Sequence, residues 1–421
     1  MRISICDYSG HPFQAQLSRE LARRGNHVLH LHFAEFQTPK GRLTVGADDP
    51  STLAIEQVSL GRPFAKYGLV KRRFQEVEIG RRIAQRIAAY APDAVIACNL
   101  PIDPLDVVVK SCTKAGRPFV FWQQDIYSTA IRNILGRKYG MPGRLVGNYY
   151  RALERRAAAH SAAIVVIAED FVTTLKQEFQ VLPGKIHTIE NWAPLDEITP
   201  HPKVNAWSTA QDLADCQVVL YTGTLGMKHD PVKLLALAEA LRDRPKTRVI
   251  VASEGPSATW LAERAAALDL PTLQVIPFQP FEVYSEVLAT ADILVAALEA
   301  DAGTFSVPSK VLSYLCAGRA IVLSAPSQNL ASKVIERAGA GAVAPADDTA
   351  AFVRRVVALL DAPRDRAKCA ENARAYAEHS FDIRQIANRF ETILHSVTAS
   401  LSRRPHVMPR AVPVSRPAAK G

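Results

Sequence analysis

Thr304-Phe-Ser-Val-Pro-Ser-Lys-Val-Leu-Ser-Tyr-Leu-Cys-Ala-Gly318 is followed at once by Ala320-Ile-Val-Leu-Ser324, and this pair of segments decides the fold class. Small polar residues open the first segment, and Pro308 stands where a first helical turn tolerates proline. Val311, Leu312 and Leu315 then recur at helical spacing, and Gly318 supplies the stop. The second segment is a continuous apolar run, as in a strand buried on both faces. A helix entered from a loop directs unpaired N–H groups and a positive dipole end at whatever lies before it. Lys310 adds a full charge there, so Ser306, Ser309 and Lys310 can form an anion-binding entrance, although taken alone the stretch reads first as an ordinary start of a buried helix.

The same helix and strand alternation extends in both directions. Toward the N-terminus it starts at Ile3–Cys6 and continues through a helix over Gln14–Arg24 and a strand over His27–Phe33. A loop reaches to about Arg62, and a basic helix spans Lys66–Tyr90. Strands over Asp93–Cys98, Pro118–Trp122 and Ala162–Ile167 follow, with a helix over Arg144–His160. Between Trp192 and Cys216 the pattern loosens around Pro194, Pro200 and Pro202, and a second series begins at Gln217-Val-Val-Leu-Tyr-Thr222. These patterns predict an α/β chain of two doubly wound, Rossmann-like domains facing across a cleft. The expected limits are a first domain over 1–192, a linker over 193–216 and a second domain over 217–380. A helix over 381–396 crosses back to the first domain, and a basic, disordered tail spans 397–421.

The chain has 421 residues, 48% hydrophobic and 22% charged, which suits two globular domains. No apolar run reaches the roughly 18 to 20 residues of a membrane-spanning helix. Met1–Cys6 reads as a strand and not as a leader, so the expected location is the cytoplasm. Six scattered cysteines without a CxxC pair read as buried thiols. The net charge of +10 calls for an anionic partner. Zinc-finger spacing, an RNP sequence and a basic helix-turn-helix are all missing, so nucleic acid is set aside.

Four strand-end loops carry the chemistry. Asp7-Tyr-Ser-Gly-His-Pro-Phe-Gln14 has Gly10 for close approach and His11 and Gln14 for hydrogen bonds, but no GxGxxG. In Trp122-Gln-Gln-Asp-Ile-Tyr127, Gln123, Gln124 and Asp125 fit a sugar-binding rim, while Asp125 fits equally as a helix cap. Tyr221-Thr-Gly-Thr-Leu-Gly-Met-Lys-His-Asp230 offers Gly223, Gly226 and Lys228 to an anion. Ala252-Ser-Glu-Gly-Pro256 offers Gly255 to the edge of a base.

In their order and spacing DYSGHPFQAQLSRELARRG, FAEFQTPKG, WQQDIY, IENW, YTGTLGMKHDP and VPSKVLSYLCAGRAIV are similar to retaining glycosyltransferases of family four, of GT-B fold. The nearest likeness is to the bacterial exopolysaccharide, colanic acid and O-antigen group, with its fucosyl and N-acetylfucosaminyl transferases. The resemblance covers residues 1 to about 395. It implies a nucleotide diphosphate sugar donor in the second domain and a glycan or polyprenyl-diphosphate-linked acceptor in the first. Neither a cofactor nor a metal is implied, and no Asp-x-Asp pair occurs. By position it sets Gly223, Thr224, Lys228 and the entrance from Ser306 to Lys310 on the diphosphate, and Glu254, Gly255 and Pro256 near the base. Gly10 is placed beside the donor phosphates and Asp125 against the transferred sugar. The chain departs where many relatives carry two glutamates, having Phe305 and Ser313 instead. Glu299 and Asp301 are candidate substitutes for those carboxylates. Thr224 replaces a frequent arginine and leaves more of the diphosphate charge to Lys228.

A non-hydrolysing nucleotide-sugar epimerase and a binding protein without turnover are the alternatives within this fold. Two basic segments, Lys66–Arg86 and Arg137–Arg156, interleave cations with apolar residues and predict peripheral contact with an anionic membrane.

Overall fold

The computed structural model describes residues 1–36, 40–65, 68–226, 229–299 and 308–402. In the first domain, β1 (Arg2–Asp7), α1 (Pro12–Arg23), β2 (His27–Phe33), β3 (Leu53–Val58), α2 (Leu69–Tyr90) and β4 (Ala94–Cys98) come in order. They are followed by α3 (Ile102–Lys114), β5 (Phe119–Gln123), α4 (Tyr127–His160), β6 (Ala163–Val166), α5 (Glu169–Gln177) and β7 (Ile186–Thr188). The seven strands are all parallel, in the order β3-β2-β1-β4-β5-β6-β7. The central strands are buried along their whole length except for Arg2 at the start of β1, as a sheet with helices on both faces requires.

After the short helix α6 (Ala206–Ala210), the second domain has β8 (Gln217–Thr222), α7 (Pro231–Ala240), β9 (Thr247–Ala252), α8 (Pro256–Ala267), β10 (Leu273–Ile276) and α9 (Tyr284–Thr290). Then come β11 (Ile293–Ala297), α10 (Lys310–Ala317), β12 (Ala320–Ser324), α11 (Leu330–Ala338), β13 (Gly341–Ala344), α12 (Thr349–Asp361) and α13 (Pro363–Ser380). Its six strands are parallel in the order β10-β9-β8-β11-β12-β13. The fold is therefore two parallel-sheet Rossmann-like domains, the class the alternation predicts. Strand order reverses between β1 and β4 in one sheet and between β8 and β11 in the other, and ligands of open α/β sheets bind at such points.

The final helix, α14 (Ile383–Ser402), lies against the first domain. Arg24 donates to Glu391 at 2.8 Å, Asn26 donates to the same carboxylate at 2.9 Å, and Phe390 packs 4.7 Å from the Trp122 ring. Trp122 and Trp192 stack with centroids 5.6 Å apart, and Phe13 meets both edge-on, so one aromatic cluster joins β5, α1, the segment after β7 and α14.

Several elements differ from the sequence reading. α14 runs on to Ser402, six residues into the tail expected over 397–421, because its apolar face continues to pack on the first domain through Val397; the rest of that tail lies outside the described residues. β3 lies inside the expected loop before Arg62; it is an edge strand with polar Glu56 and Gln57, which weakens its periodicity. β13 consists of small residues and carries little apolar signal. The helix expected from Arg144 begins instead at Tyr127 and reverses at Gly140, whose φ of 61° ends one arm while Pro142 opens the next. A Cβ at Gly143 would stand 1.9 Å from the Leu135 carbonyl oxygen, and one at Gly147 would stand 2.6 Å from Arg132 Cα. The arms therefore close as an antiparallel hairpin on glycine.

Candidate active site

The two switch points face one another across a cleft of about 560 Å³. Its first-domain wall includes His11, Lys40, Asn99, Gln124, Asp125 and Asn191. Its second-domain wall includes Thr222, Gly223, Thr224, Ser309, Lys310 and Ser313.

The first wall rests on a buried carboxylate that sequence reasoning did not single out. Asp7, at the end of β1, accepts the Ser9 N–H at 3.0 Å and also the N–H groups of Gly10 and His11. With its amide nitrogen turned toward Asp7, Gln14 donates to both carboxylate oxygens at 2.6 and 2.7 Å. Burial pushes Asp7 up to about 7, partly opposed by those N–H groups and by Lys40. The neighbouring His30 and His32 are pushed down to about 3 and about 4, first by burial, and are neutral near pH 7. Asn99 takes a left-handed conformation with φ 58° at the end of β4. It donates to Ser9 Oγ at 2.9 Å and accepts from the Tyr127 hydroxyl at 2.9 Å. Gln124 and Asn191 bond to each other at the rim, and Gln124 also donates to Cys98 Sγ at 3.5 Å.

Asp125 lines the cleft, and the first N–H groups of the helix that follows it are taken by another carboxylate. Glu154, wholly buried, accepts from the N–H groups of Tyr127 at 3.2 Å and Ser128 at 3.0 Å and from Gln123 at 3.2 Å. It thereby satisfies the first turn of α4 from the other arm of the hairpin. Its carboxyl is pushed up to about 7 by burial.

On the second wall, the ammonium of Lys310 lies 3.6 Å from the centroid of the Tyr221 ring. Gly223, with φ 103°, lies beside it: a Cβ there would be 3.8 Å from Lys310 Nζ. The turn differs from expectation in one respect. The N–H of Gly223 is bonded to the Ala252 carbonyl at 3.0 Å and that of Gly226 to His229 Nδ1 at 3.0 Å, so neither is directed at a ligand. Thr224 lines the cleft, whereas Gly226 does not. α10 starts at Lys310, so Pro308 precedes the helix, its carbonyl receiving the Val311 N–H at 3.1 Å.

Other candidates fall away from the cleft. Gly10 is buried behind it: its carbonyl accepts from Gly41 at 3.0 Å, and a Cβ would strike Leu43 Cδ1 at 2.6 Å. Its glycine is needed by the turn and the overlying loop, and it is not among the lining residues. Glu254, Gly255 and Pro256 are exposed and outside the lining, with Glu254 accepting the Phe278 N–H at 3.2 Å. The wall on that side is Phe278, Gln279, Phe281 and Tyr284, an aromatic stretch after β10 that sequence reading passed over. Glu299 is exposed and also outside the lining. Lys228, Asp301, Phe305 and Ser306 lie outside the described residues.

Ser313, at one of the positions where the resemblance leads one to look for a carboxylate, is hydrogen-bonded to Tyr284, whose hydroxyl is 3.2 Å from Thr222 Oγ1. Three neutral hydroxyls thus occupy that part of the cleft. Among the described residues no three His, Cys, Asp or Glu side chains come together as a metal site, and no helix is long and apolar enough to cross a membrane.

The family model described as Glycosyltransferase Family 4 matches residues 13–197, and the model described as Glycosyl transferases group 1 matches residues 210–376. The chain is 25% identical over 189 residues to WcaI of Escherichia coli strain K12, provisionally described as a colanic acid biosynthesis glycosyl transferase. That match spans 44% of this chain and 45% of WcaI, less than half of either protein. Among solved structures, Anabaena Alr3699/HepE in complex with UDP and glucose superposes with a TM-score of 0.67 at 16% identity, over 94% of this chain and 100% of the other. WaaG, a glycosyltransferase involved in lipopolysaccharide biosynthesis, superposes with a TM-score of 0.65 at 18% identity, over 93% and 99% of the two chains. At these identities the structural likeness speaks for the fold alone. The two domain matches, one to each facing parallel sheet, add that each half of the chain is similar to a glycosyltransferase domain, the first to family four, on the two-domain fold of these glycosyltransferase structures.

Proposed function

We propose that the protein transfers a sugar, with retention, from a UDP- or GDP-linked donor to a hydroxyl of a glycan or polyprenyl-diphosphate-linked acceptor in bacterial surface polysaccharide synthesis. The observation that carries this reading is one cleft bearing a cation, Lys310, on the second domain and a carboxylate, Asp125, on the first. The names of WcaI and WaaG support the polysaccharide setting, and the UDP and glucose in HepE support the donor class.

In the reaction proposed, the bond from the anomeric carbon to the diphosphate oxygen breaks as negative charge builds on that oxygen. Lys310, with Lys228, stabilises the charge without a metal ion. The acceptor oxygen bonds to the anomeric carbon on the face the diphosphate leaves, and its proton passes to the departing diphosphate. Asp125 orients the transferred sugar, and the hydroxyls of Thr222, Tyr284 and Ser313 meet the donor where a carboxylate is lacking. A lipid-linked acceptor brings the first domain to an anionic membrane.

Thermal shift with UDP, GDP and their sugars is the direct test, because a ligand of the native state raises its melting temperature. One of the two nucleotides should stabilise the protein, and Lys310→Ala should weaken the effect. Stabilisation by neither would sink the reading. Incubation with the preferred donor then separates transfer to a lipid-linked acceptor from release of a free epimer.

A further inference from the structure

Helix α4 starts at the cleft, where Tyr127 bonds to Asn99, and its first arm runs outward to the reversal at Gly140. Thirteen residues at about 1.5 Å each place that tip roughly 20 Å from the cleft along the arm. Because Gly143 and Gly147 occupy the seam between the arms, the larger side chains are left on the outside. Met141 is 69% exposed, Leu145 65%, and Tyr139 and Tyr149 are also exposed. The first turns of α2 join this surface: Phe74 is 72% exposed, and Arg73 donates to the Tyr149 hydroxyl at 2.8 Å. Single exposed apolar residues are commonplace, but a group on adjoining elements marks an interaction surface.

The charge around it is one-sided. From Ile126 to Leu153 the chain contains no Asp or Glu, yet it has Arg132, Arg137, Lys138, Arg144 and Arg151, the last of which pairs with Glu178, just after α5, at 2.8 Å. Elsewhere in the basic segments several cations are paired with acids: Arg72 with Glu76, Arg82 with Glu78, Arg86 with Glu56 and Arg156 with Asp106. The exposed apolar surface thus coincides with a stretch of the hairpin that carries Arg132, Lys138 and Arg144 and no acid of its own.

We propose that the α4 hairpin tip, with the start of α2, is an interfacial anchor that seats in an anionic lipid surface. Met141, Leu145 and Phe74 enter the headgroup boundary while Lys138 and Arg144 lie among the phosphates. A hairpin tip with exposed apolar side chains and no acid of its own suits a fluid anionic surface. The proposal rests on the lipid-linked acceptor reading and adds that the cleft stands about one helix arm above the bilayer, within reach of a headgroup-linked diphosphate.

The test is flotation of the full chain with phosphatidylcholine vesicles, with and without phosphatidylglycerol, at low and high salt. The parent should float with the phosphatidylglycerol vesicles, and Met141→Glu/Leu145→Glu should reduce the bound fraction roughly tenfold or more. Both changes lie on the surface, so the variant's melting temperature and its shift with UDP or GDP should match the parent's. Unchanged flotation of the variant, or failure of the parent to float at low salt, overturns the proposal. Capture of a protein partner through these residues without vesicle binding overturns it too. If the parent floats through Met141 and Leu145 but no nucleotide stabilises it, the anchor stands and the donor reading fails.

Discussion

The ammonium of Lys310 stands 3.6 Å above the centroid of the buried Tyr221 ring, so the cation on the second wall is held before any donor arrives. A lysine otherwise loses up to about 2 kcal/mol of rotamer freedom on being ordered, and a ring contact that has already ordered it lessens that loss on binding.

Lys310→Ala should therefore lower kcat/KM about a hundredfold, the scale set by removing one preorganised donor from a developing anion. Tyr221→Leu keeps the charge but not its seat, and should cost several-fold, mostly in donor affinity. Steady-state kinetics on both variants decide this; equal losses would mean that the ring does not position the cation.

Asp125 and Glu154 should separate cleanly. Asp125→Asn removes a carboxylate from the cleft and should change stability by about 0.5 kcal/mol or less while reducing transfer roughly a hundredfold. Glu154→Ala strands the N–H groups of Tyr127 and Ser128 and should cost about 2–4 kcal/mol. Denaturant melts alongside activity assays would expose a reversal of these roles.

Asp7 carries a pH signature. Its carboxyl is raised by burial to about 7, whereas in the unfolded chain it ionises near pH 4. Between these values the folded protein keeps a proton that the unfolded chain has released. This contribution favours folding at the acid end and is lost as pH rises through 7. The melting temperature of the parent relative to Asp7→Asn should fall from pH 4.5 to pH 7.5 and level off above it, whatever the constant offset between the two. A difference independent of pH would contradict the assignment.

Phe390 on α14 fills the aromatic cluster around Trp122 and Trp192. Phe390→Ala should destabilise by about 3–5 kcal/mol and alter the fluorescence of the stacked indoles. A loss below about 1 kcal/mol would show that the last helix contributes little to holding the chain together.

Much of the architecture could be read from the sequence because parallel strands covered on both faces must be almost wholly apolar. Ala94–Cys98, Phe119–Gln123, Gln217–Thr222 and Ala320–Ser324 stand out for that reason. β3 and β13 did not, since an edge strand with Glu56 and Gln57 and a strand of small residues both lack the signal. At the site, Asp125, Gly223, Thr224, Ser309 and Lys310 were legible as strand-end residues with suitable chemistry. Lys40, Asn99, Asn191 and the aromatics from Phe278 to Tyr284 were not, because nothing local distinguishes them from ordinary loop residues.

By itself the sequence determined two parallel sheets, the loops at their carboxyl ends and a net positive charge. Helix and strand periodicity, and the count of ionisable groups, are properties of the chain read in order. Only the tertiary structure decided which carboxylate caps α4, since Glu154 reaches Tyr127 by a reversal at Gly140 that no local pattern encodes. It also decided that the N–H groups of Gly223 and Gly226 are taken within the protein, and which cations of the basic segments meet acids brought to them from elsewhere in the fold. Partners distant in sequence meet only when the chain has closed, and hydrogen bonds and ion pairs depend on distances that spacing along the chain does not contain.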